Sequence, residues 1–316
     1  MITFANRASA VLYGFLKSRS FEKPFLLPAN VCPVVPLSMM KAGVDFEFVD
    51  IDVRHTMSEE QALEKVSTGS YSGLLFVHSY GKSFDNKGFY SELKAINPEL
   101  CIIDDRCLCK PVLEDNVPEK VDLVLYSTGY AKYVELSYGG FGVTPKQSIN
   151  IEGLEGTFKY SQEDESRQQV YIKDCFKNSK RYELPADYPW LDCSPLKMDA
   201  KQYFCIIKAK IEKVKADKDI INKIYRSNIP NELQWGEGFD NWRFMMSVDN
   251  RDQLLKAIFD AGLFAGTNFP SISWMFKGQH CKRAEIEASH ILNLFNDFRV
   301  NEEMAFKTCE IIKANI

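Results

Sequence analysis

The sequence predicts an α/β fold: a mostly parallel sheet between helices, followed by a small C-terminal α+β domain. Three observations carry this expectation. Short apolar runs alternate with helical periodicity through the first half of the chain. The runs PFLLP, FEFVD, GLLFVHSY, LCIID and DLVLYS are strand-length and mostly continuous, the pattern of strands covered on both faces. After Thr144 the alternation stops, and a long helical pattern leads into a second, shorter set of elements. Strand–helix–strand repetition of this kind builds a doubly wound layer, whose ligand lies at the carboxyl ends of the strands.

Helical spacing covers Ala8–Lys17, Pro33–Ala42, Glu59–Lys65 and Tyr90–Ile96, each between two of the apolar runs. LYSTGYAKYVELSYGGFGV, residues 125–143, reads as a strand, a polar glycine-rich turn and a second strand. Residues 150–190 are charged, tyrosine-rich and weakly periodic, and are expected to form an irregular excursion or a lid. A long helix is expected from about Leu196 to Tyr225, with Phe204, Ile207, Ile211, Val214 and Ile221 at helical spacing. WRFMMSV, DQLLKAIFDAG and LFAGTNF then read as strand, helix and strand, and ILNLF and EEMAFKTCEIIKAN close the chain. The expected division is 1–195 for the large domain and 196–316 for the linking helix and small domain.

Composition narrows the functional classes. The 316 residues are 45% hydrophobic and 26% charged, ordinary for a soluble globular protein. The net charge of -4, with no basic arm or stripe, argues against a nucleic-acid partner. MITFANRASAVLYGFLK lacks the charged start and cleavage site of a signal peptide, and no apolar stretch reaches membrane-spanning length. Nine cysteines, an odd number without regular spacing, argue against a disulfide framework and for a reducing cytoplasm. Cys107 and Cys109 flank a single residue and the four histidines are scattered, so metal-ligand spacing is absent.

Chemistry-bearing residues gather where strands end. Ser9 stands in the first turn of a helix, beside N–H groups that bind anions, or acts there as a plain cap. His78 and Tyr80 follow a buried strand, where a histidine is either structural or functional. Asp104 and Asp105 end LCIIDD and, by strand alternation, point to opposite faces, so only one faces a given site. Such a carboxylate binds a metal or a ring cation, or caps the next element. Ser127 ends DLVLYS, Lys132 follows by five residues, and Gly139-Gly140 allow close approach by a ligand. A lysine, a strand-end carboxylate and hydroxyls at a helix N-terminus are what pyridoxal phosphate requires.

The stretches LLPANVCPVVPLSMMKAGVDFEFVDID, LLFVHSYGKSFD, CIIDDRC and LVLYSTGYAKYVELSYGGFGVT resemble the DegT/StrS family of fold-type-I pyridoxal-phosphate proteins. FAGTNFP and ILNLFNDFRVNEE are similar to its small domain. Most of that family are aminotransferases acting on nucleotide-linked keto-sugars. The resemblance implies that Lys132 forms the Schiff base and that Asp105 pairs with the pyridine nitrogen. It implies phosphate-binding hydroxyls at Ser127 and Ser9, with Ala8 and Ala10 beside the latter, and a cofactor contact at His78. Cys32 stands where an aromatic ring often stacks on the cofactor, Ala8 where glycine is usual, and Leu108 where glutamine or histidine follows the aspartate. WLDCSPLK replaces an Asn-Tyr-Arg-Met type of stretch that reaches the neighbouring subunit. Lys132 is intact, whereas the family's dehydratase branch has histidine there.

The function implied is a cytoplasmic aminotransferase that moves an amino group, from glutamate by resemblance, to a keto-sugar nucleotide for polysaccharide or secondary-metabolite synthesis. Leu108 and Cys32 favour the alternative, a cofactor-binding regulatory or inactive homologue. A nucleotide-binding module without the cofactor would need a glycine-rich phosphate loop after the first strand, and LLPANVCP is not one. The resemblance also implies a homodimer. VLYGFL and PVVPLSMM are expected to leave an apolar patch for a partner, unless the long helix covers them.

Overall fold

The structure, a computed structural model, describes residues 1–114, 117–145, 149–150 and 160–316. Seven strands, β1 (Ile2–Ala5), β2 (Phe25–Pro28), β3 (Phe46–Val49), β4 (Gly73–Val77), β5 (Cys101–Asp105), β6 (Leu123–Ser127) and β7 (Gly140–Val143), form one sheet. Their order is β1-β7-β6-β5-β4-β2-β3. Only β7 runs against its neighbours; β3, β2, β4, β5 and β6 pair in parallel. Every residue of β2, β4, β5 and β6 is buried, which explains the continuous apolar runs.

Side chains alternate between the two faces of the sheet. Leu27, Leu75, Ile103 and Leu125 point to the side covered by α1 (Ala8–Lys17) and α2 (Val34–Ala42). Leu26, Leu74, Ile102 and Val124 point to the side covered by α3 (Glu59–Ser67) and α4 (Lys87–Ile96). The parity of each strand therefore decides which face a strand-end group reaches.

The expected irregular stretch at 150–190 holds a 17-residue helix, α5 (Gln162–Asn178). Weak periodicity hid it, because only Gln168 and Cys175 of this helix are buried. A local signal was present: the Ser161 hydroxyl accepts from the Asp164 N–H at 3.2 Å, and Glu163, Asp164 and Glu165 fill the first turn. Residues 151–159 of the same stretch lie outside the described residues. The long helix, α6 (Ala200–Asn228), begins four residues after Leu196, where Asp199 caps it through the Gln202 N–H at 2.9 Å.

The remaining elements are β8 (Phe244–Ser247), α7 (Arg251–Asp260), β9 (Ala265–Gly266), α8 (Ser273–Lys277), α9 (Lys282–His290), β10 (Ile291–Leu294) and α10 (Glu302–Ala314). A three-stranded antiparallel sheet, β8-β10-β9, packs against α7, α10 and the end of α6. The short α8 and α9 were not expected, nor was β1. Ile272, Met275, Phe276, Cys281 and Ala284 return to the core shared by α1 and α2. A boundary at residue 196 thus separates elements, while this core crosses it.

That return changes the argument about the surface. All of Val11–Leu16 is buried, as are Val35, Leu37 and Met39, against α8, α9 and residues 171–193. VLYGFL and most of PVVPLSMM, Val34 excepted, are covered within one chain, and the covering segments are not the long helix. The apolar patch expected from them is absent.

Candidate active site

Lys132 sits in the turn between β6 and β7, and this turn is braced on both sides. Ala131 adopts a left-handed conformation, φ 53°, uncommon for a residue with a β-carbon. Its N–H donates to Glu135 Oε2 at 2.8 Å, and its carbonyl accepts from Trp242 Nε1 at 2.7 Å. Glu135 is ion-paired with Arg299. The small domain thereby fixes the peptide next to the lysine. Among the described residues, no hydrogen bond or ion pair engages Lys132 itself, which is half-buried.

Asp105 is 6% exposed at the end of β5. One of its oxygens, Oδ1, accepts the Cys107 N–H at 2.8 Å, and the Cys107 thiol hydrogen-bonds to the same carboxylate. Burial raises its pKa above the usual carboxylate value, opposed by the Cys107 N–H and by the charge of Lys132. Cys32 and Cys107 share this environment. Burial raises both thiols, and each feels Lys132 and Asp105. Lys132, Asp105, Cys32 and Cys107 therefore form one electrostatic neighbourhood on the α1/α2 face.

The hydroxyls meet at the same edge of the sheet. Ser127 pairs with Gly140 across β6 and β7, and its Oγ accepts the Gly129 N–H at 3.2 Å. A β-carbon on Gly140 would lie 2.4 Å from the backbone N and Cα of Ala8, so Gly140 touches the N-terminus of α1. Ser9 follows in that first turn, beside Ala8 and Ala10. Gly139, at φ 90°, leaves room for Tyr203, whose hydroxyl a β-carbon would approach to 2.5 Å and whose ring to 2.8 Å. The glycine pair was expected to admit a ligand. Its close approaches are to α1 and α6 instead, and their effect is to bring an open helix N-terminus up to Ser127.

His78 is placed elsewhere. Phe76 pairs with Asp104, so His78, two residues on, shares the α3/α4 face with Asp104 rather than that of Asp105. It is fully buried, and its Nε2 lies 2.6 Å from Asp104 Oδ1, off the hydrogen-bond direction. Its Nδ1 accepts the Phe84 N–H at 2.9 Å. Arg106 donates to Asp104 Oδ2 at 2.8 and 3.0 Å. Burial alone would raise the Asp104 pKa, but His78 and Arg106 outweigh it and hold the carboxyl below its usual range. His78, Asp104 and Arg106 are a second constellation, separated from Lys132 by the sheet. Leu108 turns into a buried cluster with Tyr80, Phe239, Trp242 and Met245.

The residues present suit pyridoxal phosphate. The Asp105 carboxylate offers an acceptor for a ring N–H, and no hydrogen bond or ion pair among the described residues engages Lys132. Ser127 and Ser9, with the first N–H groups of α1, offer donors to a phosphate. Cys32 supplies a small, soft surface where a stacking ring is absent. The sequence did not single out Trp242, Glu135 or Arg299, because these reach the lysine turn over long sequence separations. Trp242 alone carried a signal, as an aromatic opening an expected strand.

No family model matches this chain, and no curated protein does. Solved structures do match. DesV of S. venezuelae, solved in complex with a ketimine intermediate, is 15% identical, with a TM-score of 0.70 over 99% of this chain and 84% of that one. PseC of Helicobacter pylori, an aminotransferase involved in the biosynthesis of pseudoaminic acid, is 12% identical, with a TM-score of 0.69 over 99% and 86%. An E. coli GDP-4-keto-6-deoxy-D-mannose-3-dehydratase with bound hydrated PLP is 16% identical, with a TM-score of 0.64 over 98% and 87%. The chain has the fold that these fold-type-I pyridoxal-phosphate enzymes share.

Proposed function

We propose that the protein is a pyridoxal-phosphate-dependent aminotransferase acting on a keto-sugar nucleotide, with glutamate as the amino donor. The observation that carries this reading is the convergence of Lys132, which no hydrogen bond or ion pair among the described residues engages, with the buried Asp105 carboxylate, whose charge it feels. The neighbours named above include an aminotransferase and a dehydratase. Lys132 favours the former, since an amine both holds the cofactor and carries protons.

Bound there, pyridoxal phosphate supplies an electron sink for the carbon that loses its proton. Asp105 holds the proton on the ring nitrogen, which keeps the ring electron-poor. Lys132 Nζ would hold the cofactor and would carry the proton at the reacting carbon. Ser127, Ser9 and the α1 N-terminus would hold the cofactor's phosphate. Trp242 and Glu135, by bracing the Ala131 peptide, would keep the lysine in place.

The homodimer expected from the resemblance draws support from Tyr130 and Phe298, 67% and 72% exposed, on either side of Arg299 at the lysine turn. A second copy would cover them. The absence of a long apolar helix among the described residues and the free cysteines suit a cytoplasmic enzyme. The test of activity is the absorbance of the cofactor-loaded protein. Its yellow band is expected to bleach with glutamate and return with a keto-sugar nucleotide. A band that persists with every amino donor would favour the regulatory homologue instead.

A further inference from the structure

A cavity of about 410 Å³ opens on the side of the sheet that carries Asp104, away from the neighbourhood of Asp105. The loop after β5 supplies Arg106 and Lys110 to its wall, and β6 and the lysine turn supply Tyr126 and Tyr133. From α6 come Lys215, Lys218, Asn222 and Arg226, spaced by three and four residues and therefore on one helix face. Small-molecule sites have volumes of roughly 300–1,000 Å³, so the space suits a ligand of metabolite size.

The charges on this wall balance except at one place. Arg106 is paired with Asp104, Lys110 with Glu212, Lys215 with Asp219 and Arg226 with Asp240. Lys218 has no carboxylate of its own. It is 3% exposed and donates to the Trp242 carbonyl and to Asn296 Oδ1, both at 2.7 Å. These oxygens are neutral, and an ammonium has a third N–H to give, which finds no acceptor among the described residues. The carboxylate charge that Lys218 feels most, Asp297, is ion-paired with Arg299. Burial lowers the Lys218 pKa to about 8, as befits a cation short of compensation. A buried charge in this state is destabilising until a counter-charge arrives.

The constellation that the cofactor leaves unused also serves this cavity. Asp104, faced by His78, holds Arg106 through Nε and Nη2, and the Tyr126 hydroxyl accepts from the same guanidinium. The arginine is thereby fixed at the cavity wall.

We propose that this cavity binds a small phosphate-bearing metabolite, with Lys218 as the counter-charge of its phosphate and Arg106, Lys215 and Arg226 as further donors around it. Phosphate suits the wall better than a carboxylate, because its terminal oxygens accept from several cations that come from different elements. The volume left over takes the organic body, against Tyr126 and Tyr133. A free phosphate ion shares the charge chemistry and would leave that volume to water. Lys218 holds the main chain of Trp242, whose indole braces the lysine turn, so the ligand would sit behind that brace and not in the cofactor pocket.

The test is calorimetric titration of glucose 1-phosphate into the cofactor-treated protein, with glucose and inorganic phosphate as parallel probes. Glucose 1-phosphate is expected to bind and glucose is not. Lys218→Met should weaken the binding roughly tenfold or more, the worth of a hydrogen bond to a charged group. The double variant K110E/K215E reverses two half-exposed charges at the rim and should weaken it as well, which serves where Lys218→Met fails to fold. Ser127→Ala should bind the probe as wild type does, because that hydroxyl belongs to the cofactor pocket. Inorganic phosphate binding as tightly as the ester would keep the site and assign it to the free anion. No binding at millimolar probe, an affinity unchanged in the folded variants, or a loss in Ser127→Ala overturns the proposal.

Discussion

A methyl group at Gly140 tests whether the helix N-terminus and the strand-end serine form one phosphate site. The β-carbon of Gly140→Ala would lie 2.4 Å from the N and Cα of Ala8 and 2.6 Å from its Cβ. Ordinary contact begins near 3.4 Å, so α1 or β7 must move by about 1 Å. Neither moves freely, since α1 is buried from Ala10 to Leu16 and β7 is buried throughout. Overpacking of this size costs about 1–3 kcal/mol. The displacement also withdraws the α1 N–H groups from Ser127, and one lost charge-assisted hydrogen bond is worth about 1.5–3 kcal/mol. Pyridoxal phosphate should therefore bind at least tenfold more weakly, measured by equilibrium dialysis, with a lower denaturation midpoint in urea. Gly129→Ala is the control, because its β-carbon would meet nothing closer than the Ser127 Oγ at 3.5 Å. If Gly140→Ala binds the cofactor as wild type does, the phosphate lies elsewhere and the site as described is wrong.

Other outcomes follow from the same geometry. Asp105→Asn should reduce turnover far more than stability, whereas Asp104→Asn, which strips His78 and Arg106 of their carboxylate, should cost about 3 kcal/mol of stability in urea. The opposite ranking would mean that the face assignment is reversed. Trp242→Phe removes the bond to the Ala131 carbonyl and should lower kcat at little cost in cofactor affinity; a change in affinity alone would show that the brace acts on binding. Lys218 has a folded pKa of about 8 against an ordinary 10.5. Between those values the unfolded chain binds the extra proton, so this residue makes the protein gain stability as pH rises from 8 to 10.5. Lys218→Met should lose that gain in denaturation measured across the window, and an unchanged slope would place the lysine in water.

What could be read in the sequence was local. Asp105 and Lys132 lie on or beside strands whose apolar runs announce their burial, so a strand-end carboxylate, a turn lysine and Ser127 stood out as candidates, while the choice of Asp105 over Asp104 came from the resemblance. His78 was also found at its strand end, but its face depends on the register of β4 against β5, which sequence spacing does not supply. The glycine pair was legible as a close approach, while its partners, Ala8 and Tyr203, come from distant elements. Trp242, Glu135 and Arg299 were missed for the same reason. Their roles exist only once the small domain rests on the turn. The helix at 162–178 was missed because a polar helix lacks the apolar stripe on which periodicity depends.

Borohydride reduction of the pyridoxal-phosphate-treated protein, followed by peptide mapping, tests the central assignment most directly. Reduction freezes the bond between the cofactor and the amine that holds it. The account predicts a single modified peptide carrying the cofactor on Lys132, none in Lys132→Ala, and a native fold in that variant. Labelling on Lys218 or any other lysine, or a wild-type protein that takes up no cofactor, would contradict it.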